Sequence, residues 1–268
     1  MMLQPMLWRQ SRPLLVALAL MAAGGSQAAE IRVVSSGGFA QAYKNLAADY
    51  ERASGDQLVS EWGPSMGTTA KAIPARLARG EPIDVVIMVG DALDKLMVEG
   101  KLVPGSKVVL ANSPIACAVR RGTPRPDIGT TEGLRNAFLK ANKVAYSDSA
   151  SGEYIEKQLM KKLGIVEQMQ GKAAKIPATP VGDIVAHGQA DFGCQQRSEL
   201  LPVEGIEIVG LLPADVQLMT EFSAALVRDA KQPEAGRALL KFLSSPDHAS
   251  AIAATGLEPA AKPQPPLH

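Results

Sequence analysis

Short apolar runs, punctuated by glycine and small hydroxyl residues, alternate along the chain with amphipathic stretches of helical period. Ile31 to Val34 is a β-branched run that stops at Ser35-Ser36-Gly37-Gly38, and from Phe39 to Ala53 the apolar positions take helical spacing, with Leu46 and Tyr50 four apart. Gly55 closes that helix, Gln57 to Trp62 predicts a second strand, and Gly63-Pro64-Ser65-Met66-Gly67-Thr68-Thr69 turns into a helix through Arg79. Asp84 to Val89 is a continuous apolar run of the kind buried on both faces of a sheet, followed by a helix ending near Gly100. Ser113 to Arg120 predicts the next strand, and Thr131 to Asn142 a helix capped by Thr131. Val144 to Ser147 predicts a strand that breaks at Asp148-Ser149-Ala150-Ser151-Gly152 into a helix from Glu153 to Leu163. Beyond it, Pro180-Val181-Gly182 opens a short helix ending at His187. Strands are predicted at Ala190 to Gln195, Ile206 to Gly210 and Glu221 to Arg228, and a helix from Glu234 to Leu243. This alternation predicts an α/β fold with mostly parallel sheets flanked by helices.

Three turns share one chemistry. At Ser35-Ser36-Gly37-Gly38, at Ser65-Met66-Gly67-Thr68-Thr69 and at Ser149-Ala150-Ser151-Gly152, small residues stand where a strand feeds a helix. The start of a helix leaves up to four amide N–H groups without intrahelical partners and carries about half a positive charge, so it attracts anions without any lysine. Glycine lets an anion approach the backbone, and hydroxyls add donors. A single serine before a helix is ordinarily only a cap. Three such turns, each after a strand, predict a shared anion pocket, because ligands of open α/β sheets gather at the carboxyl ends of strands.

Other chemistries find no pattern in the chain. There is no Gly-x-Gly-x-x-Gly and no Gly-x-x-x-x-Gly-Lys-Ser/Thr, which disfavours dinucleotide and triphosphate sites, and no Gly-x-Ser-x-Gly elbow. The three histidines, His187, His248 and His268, stand apart from one another and from the cysteines, so no metal-ligand spacing exists and no cofactor is expected. Lys+Arg total 28 against 27 Asp+Glu, and aromatics are 4%, a balance that gives neither a field nor a stacking platform for nucleic acid.

Arg9 and Arg12 precede an apolar run from Pro13 to Gly24, and Ser26-Gln27-Ala28 offers small residues where a signal peptidase cuts. Residues 1–28 therefore read as an export signal cleaved after Ala28, which places the mature chain in the periplasm. Removing them leaves 240 residues with 26 positive against 27 negative side chains, enough chain for two lobes or one large α/β unit. Cys117 and Cys194 lie in strand-like runs, and the sequence is compatible both with a disulfide and with two buried thiols.

Taken in order, Val33-Val-Ser-Ser-Gly-Gly, Trp62-Gly-Pro-Ser-Met-Gly-Thr-Thr, Arg79-Gly-Glu-Pro-Ile-Asp-Val-Val-Ile and Ala145-Tyr-Ser-Asp-Ser-Ala-Ser-Gly resemble the molybdate-binding-protein family of periplasmic solute receptors, over about Ile31 to Gly256. The resemblance implies a two-lobed, hinged periplasmic-binding-protein fold (type II) with two crossover strands, near Leu110 to Ser113 and Met219 to Phe222, and a ligand held between the lobes. On that reading lobe 1 comprises residues 29–112 with 220–258, lobe 2 comprises 113–219, and 259–268 form a disordered tail.

The turn chemistry makes Ser35, Ser36, Gly37, Gly38, Ser65, Gly67, Thr68, Ser149 and Ser151 the expected substrate contacts, and the resemblance places a hydroxyl and two backbone donors of the molybdate binders at Ser65, Ser151 and Val181. Val181, Gln196 and Arg197 complete the set. Two hydroxyl donors of the molybdate binders are missing, since Gly38 and Gln196 stand in their places, and Arg197 brings a planar fork suited to carboxylates. These departures resemble the branch of the family that contains periplasmic aconitate isomerases. What that branch implies is a cofactor-independent allylic proton shift on a tricarboxylate; Asp148, by its place inside the third turn, is the candidate proton-transfer group, ahead of Glu153, Lys71 and His187. The other implied role is a monomeric receptor that hands an oxyanion or small carboxylate to a membrane importer. Either way the expected partner is a small anionic ligand and not nucleic acid.

Overall fold

The computed structural model describes residues 28–177 and 179–260; the export signal expected over residues 1–28, apart from Ala28, and the end of the expected tail, 261–268, lie outside them. The chain opens with β1 (Glu30–Ser35), α1 (Gly37–Ser54), β2 (Gln57–Trp62), α2 (Ile73–Ala78), β3 (Val85–Val89) and α3 (Gly90–Val98). Helix α1 buries Phe39, Ala42, Tyr43, Leu46 and Tyr50, one stripe at helical spacing, and ends where Gly55 takes a left-handed conformation and its N–H reaches the Glu51 carbonyl. Strand β3 is buried at all five positions, as its unbroken apolar run requires of a strand covered on both faces.

The run from Ser113 to Arg120, predicted as one strand, is the junction of two. Strand β4 (Val108–Ser113) ends before Pro114, and β5 (Ile115–Arg120) begins after it. Proline has no N–H to give a ladder, so the chain breaks there and changes sheets. There follow α4 (Thr131–Lys140), β6 (Val144–Ser147) and α5 (Ala150–Tyr154), which continues through a π turn (Ile155–Leu159) into α6 (Met160–Lys162). The cap of α4 is Thr130, one residue before the expected Thr131; its hydroxyl accepts the Gly133 N–H at 3.0 Å.

The rest of the second sheet comes from β7 (Ala173–Ile176), α7 (Val181–Ala186), β8 (Phe192–Gln196), α8 (Arg197–Leu200) and β9 (Ile206–Leu211). The chain then returns through β10 (Thr220–Leu226), α9 (Pro233–Leu243), α10 (Ala249–Ala253) and β11 (Glu258–Pro259). Pro259, expected in the tail, pairs instead with Ala111.

Two sheets result, in the orders β11-β4-β10-β3-β1-β2 and β7-β6-β8-β5-β9. They are mixed where mostly parallel sheets were expected. Strand β1 is parallel to β2 and β3, and β6 is parallel to β7 and β8, but β10 runs against β3 and β4, and β5 runs against β8 and β9. Strand β5 is the first after the chain leaves the first sheet, β10 is the strand by which it returns, and β11 also pairs antiparallel with β4. Gln217 braces the two crossings together: its side chain accepts the Ile115 N–H at 2.9 Å and donates to the Ile115 carbonyl at 3.0 Å.

Each sheet has its own apolar core. The first gathers Val33, Ile87, Met88, Phe39, Leu93 and Leu239; the second gathers Phe138, Leu159 and Phe192. Cys117 and Cys194 face each other across β5 and β8 and form a disulfide, which settles the alternative the sequence left open.

Candidate functional site

A cavity of about 280 Å³ opens between the two sheets, at the carboxyl ends of β1, β2, β6 and β8. The first sheet contributes Ser36, Gly37 and Gly38 from the β1–α1 junction, Trp62, Gly63 and Pro64 after β2, Lys71, and Phe222 of β10. The second contributes Ser147, Asp148, Ser149 and Ala150 from the β6–α5 junction, Thr179 and Pro180 ahead of α7, Gln195 and Gln196 of β8, and Glu199 of α8. Lys71 is exposed and has no ion pair among the described residues, so its charge is available to an anion.

Helix α1 begins in this cavity. Ser36 is its N-cap residue but makes no side-chain capping bond; the residue is 3% exposed, and its buried hydroxyl has no partner among the described residues. The same is true of Gln196 Oε1, although the other end of that amide donates to Thr220 Oγ1 at 2.9 Å. Orphaned polar atoms are uncommon in folded interiors, because each forfeits its hydration without replacement. Two of them line one cavity at the start of an 18-residue helix, which is the preparation a polar, negatively charged ligand needs.

Both glycines of the first turn are there because other groups occupy the space a side chain would take. A Cβ on Gly37 would lie 2.1 Å from Glu199 Oε1, so the carboxyl rests against the helix start. A Cβ on Gly38 would lie 2.0 Å from Phe222 Cζ. The phenyl ring of Phe222 is thus packed onto the backbone at Gly38. Burial pushes the Glu199 carboxyl up to about 7; a hydrogen bond from Gln195 pulls it down, and the negative charge of Asp148 raises it again. Gln195 Oε1 accepts the Val181 N–H at 2.9 Å. Across the cleft, Ser198 Oγ donates to the Gly38 carbonyl at 2.7 Å.

Of the residues singled out in the sequence, Ser36, Gly37, Gly38, Lys71, Asp148, Ser149 and Gln196 meet in this cavity. The others lie elsewhere, each for a local reason. Ser35 is buried in β1 and donates to the Ser36 carbonyl. The second turn does not open a helix: residues 65–69 are bends, and α2 begins only at Ile73, so no helix start faces a ligand there. Ser65 is fully buried, its Oγ accepting the Val89 N–H at 2.9 Å, while Gly67 and Thr68 are exposed. Ser151 is buried within α5 with its hydroxyl 3.1 Å from that of Ser147, and the Val181 amide is taken by Gln195. Arg197 is exposed; its side chain runs past Gly256, outside the cavity lining, so the expected carboxylate fork is absent from this site. Glu199, two residues on, is the functional candidate the sequence reading passed over.

Ser65 and Gly67 line a second cavity of about 620 Å³, reached from α3, α5 and the start of β10. It is larger, but none of the orphaned buried atoms lines it, and its Glu153 and Lys157 pair with each other. The smaller cavity is the better-prepared site.

Residues 31–258 match the family described as bacterial extracellular solute-binding protein. The chain belongs to this family. Aconitate isomerase from a Pseudomonas species is 49% identical over 229 residues, covering 85% of this chain and 87% of the relative. Molybdate-binding protein ModA of Azotobacter vinelandii is 26% identical over 252 residues, 91% of this chain and 96% of that protein. Among solved structures, the periplasmic molybdate-binding protein of the same organism superposes with a TM-score of 0.68 at 19% identity, over 87% of this chain and all of that one. This likeness shows the two-lobed solute-binding fold, so the cavity between the sheets occupies the cleft of a solute-binding protein.

Proposed function

We propose that this solute-binding-family member is a periplasmic aconitate isomerase, which interconverts trans- and cis-aconitate by an allylic proton shift in the cavity between the sheets. The observation that carries the reading is a carboxyl inside an anion site: Glu199 rests against the α1 start among orphaned polar atoms, with an ordinary ionisation pushed up to about 7. In its ionised form such a group repels a compact oxyanion at short range. An enzyme that moves a proton at neutral pH needs one. The 49% identity to a protein named aconitate isomerase supports the same reading.

Residues 29–112 with 220–258 form one lobe and 113–219 the other, and the substrate is enclosed as they close. Its carboxylates are received by the amides at Gly37 and Gly38, by the Ser36 hydroxyl and by Lys71. The amides can also stabilise the charge that spreads into a carboxylate as the proton leaves, the interaction that accelerates the step most directly.

Incubating the purified mature protein with trans-aconitate, and following cis-aconitate by chromatography, tests this directly. Product over many equivalents of protein is the expected result. If no product forms and micromolar molybdate raises the melting temperature, the protein is an oxyanion receptor.

A further inference from the structure

We propose that Glu199 is the catalytic base, carrying the proton between the two ends of the allylic system from its seat at the N-terminus of α1. This assignment rests on the isomerase reading and gives the site its working group.

Three titratable side chains line the cavity: Lys71 from the connection after β2, Asp148 from the β6–α5 junction, and Glu199 from α8. Lys71, exposed and cationic, serves the substrate's charge. Glu199 alone is seated on the α1 start, where a Cβ at Gly37 would lie 2.1 Å from its Oε1. A carbon acid held between that oxygen and the adjoining amides meets base and anion donors within one small volume. The sequence reading put Asp148 in this role; in the structure Asp148 lines the same cavity from the β6–α5 junction, and its charge raises the proton affinity of Glu199. Asp84, a buried carboxylate outside the cavity, accepts three backbone N–H groups, from Arg32, Lys231 and Gln232, and so is a structural brace.

The step balances without any other reactant. Glu199, ionised, takes a proton from the methylene carbon; the C–H electron pair enters the neighbouring C–C bond as the double bond shifts, and the negative charge is shared with the terminal carboxylate. Glu199 then returns the proton to the former vinyl carbon, which leaves the carboxylate free and the double bond in its new place. Nothing is oxidised or reduced. Closure is part of the device, because Glu199 and α1 belong to different sheets and the neighbouring Ser198 is bonded to Gly38.

The test compares the wild type with Glu199→Gln and Glu199→Asp on trans-aconitate, at matched melting-temperature shift by the same ligand. Glu199→Gln is expected to bind trans-aconitate, shown by the shift, yet to lose turnover by about 10² to 10⁴-fold. It should also lose exchange of the methylene hydrogens with deuterated water. In the wild type kcat/KM should rise with pH across the region near 7, because the base must be ionised, and in Glu199→Asp, which keeps part of the activity, that limb should move to lower pH. Turnover by Glu199→Gln within tenfold of wild type, or a limb that stays in place in Glu199→Asp, overturns the assignment while leaving the isomerase intact. If the wild type does not turn over trans-aconitate, the isomerase reading fails and takes this assignment with it.

Discussion

Ser198 donates a buried hydrogen bond of 2.7 Å to the main-chain carbonyl of Gly38, joining α8 of one sheet to α1 of the other. Removing the hydroxyl leaves a buried carbonyl without that donor, a loss of about 1 to 2 kcal/mol that falls on the closed arrangement alone. Ser198→Ala should therefore weaken trans-aconitate binding about 5- to 30-fold in a calorimetric titration. Unchanged affinity would mean that closure does not depend on this contact.

The unpartnered Ser36 hydroxyl and the Ser65 hydroxyl, which serves Val89, make a matched pair. Ser36→Ala should cost ligand affinity about 1 to 3 kcal/mol and leave the empty protein as stable or more so, because the lost group had no partner there. Ser65→Ala should do the opposite, lowering the urea midpoint with little change in affinity, since it strands the Val89 N–H. Parallel urea and titration series on the two variants check both. Equal effects of the two on affinity would contradict the placement of the cavity.

Phe222 and Gly38 should couple. Gly38→Ser places an atom into the phenyl ring, 2.0 Å from Cζ at its Cβ, and should destabilise by about 1 to 3 kcal/mol. In the double variant with Phe222→Ala the clash is gone, so the two costs should add to more than the measured loss. Additive unfolding energies would show that the ring moves aside without resistance.

Glu199 makes a prediction about stability as well as rate. Its carboxyl binds a proton more tightly folded, at about 7, than the ordinary value of about 4.3 for an unfolded chain. Its contribution is therefore fully favourable below about 4.3 and is lost as pH rises through about 7. Glu199→Gln, which stays neutral, should melt higher than wild type at pH 8, by an amount equivalent to about 1 to 3 kcal/mol, with the difference shrinking towards pH 4.5. Differential scanning calorimetry across that range decides it; a difference independent of pH would mean that the carboxyl is not shielded in solution.

Much of this could be read from residue order alone. The β1–α1 junction announced itself because Gly37 and Gly38 follow a β-branched strand directly, and the structure starts α1 on that spot. The Ser65 to Thr69 segment has the same small-residue composition, yet α2 starts four residues beyond it, at Ile73; composition does not report where a chain turns helical. Arg197 drew notice for its charge, but as the first residue of α8 it leaves the cavity, and Glu199 enters it two residues later. The signal was there in weak form: the polar Gln195-Gln196-Arg197-Ser198-Glu199 directly follows the buried Phe192 to Cys194, at the end of a strand in the middle of its sheet. Sheet pairing was less legible, since Pro114 marks a change of sheet only once both sheets are known.

Strand β10 returns the chain to the first sheet and also walls the cavity, with Phe222 over the α1 start and Thr220 holding the Gln196 amide. On the proposed closure of the lobes, the pivot and the lining are one ribbon. A swing wide enough to admit a molecule must flex the wall that grips it, so admission and discharge become a single mechanical event, and the pace of that swing sets a ceiling on how fast any chemistry inside can be repeated.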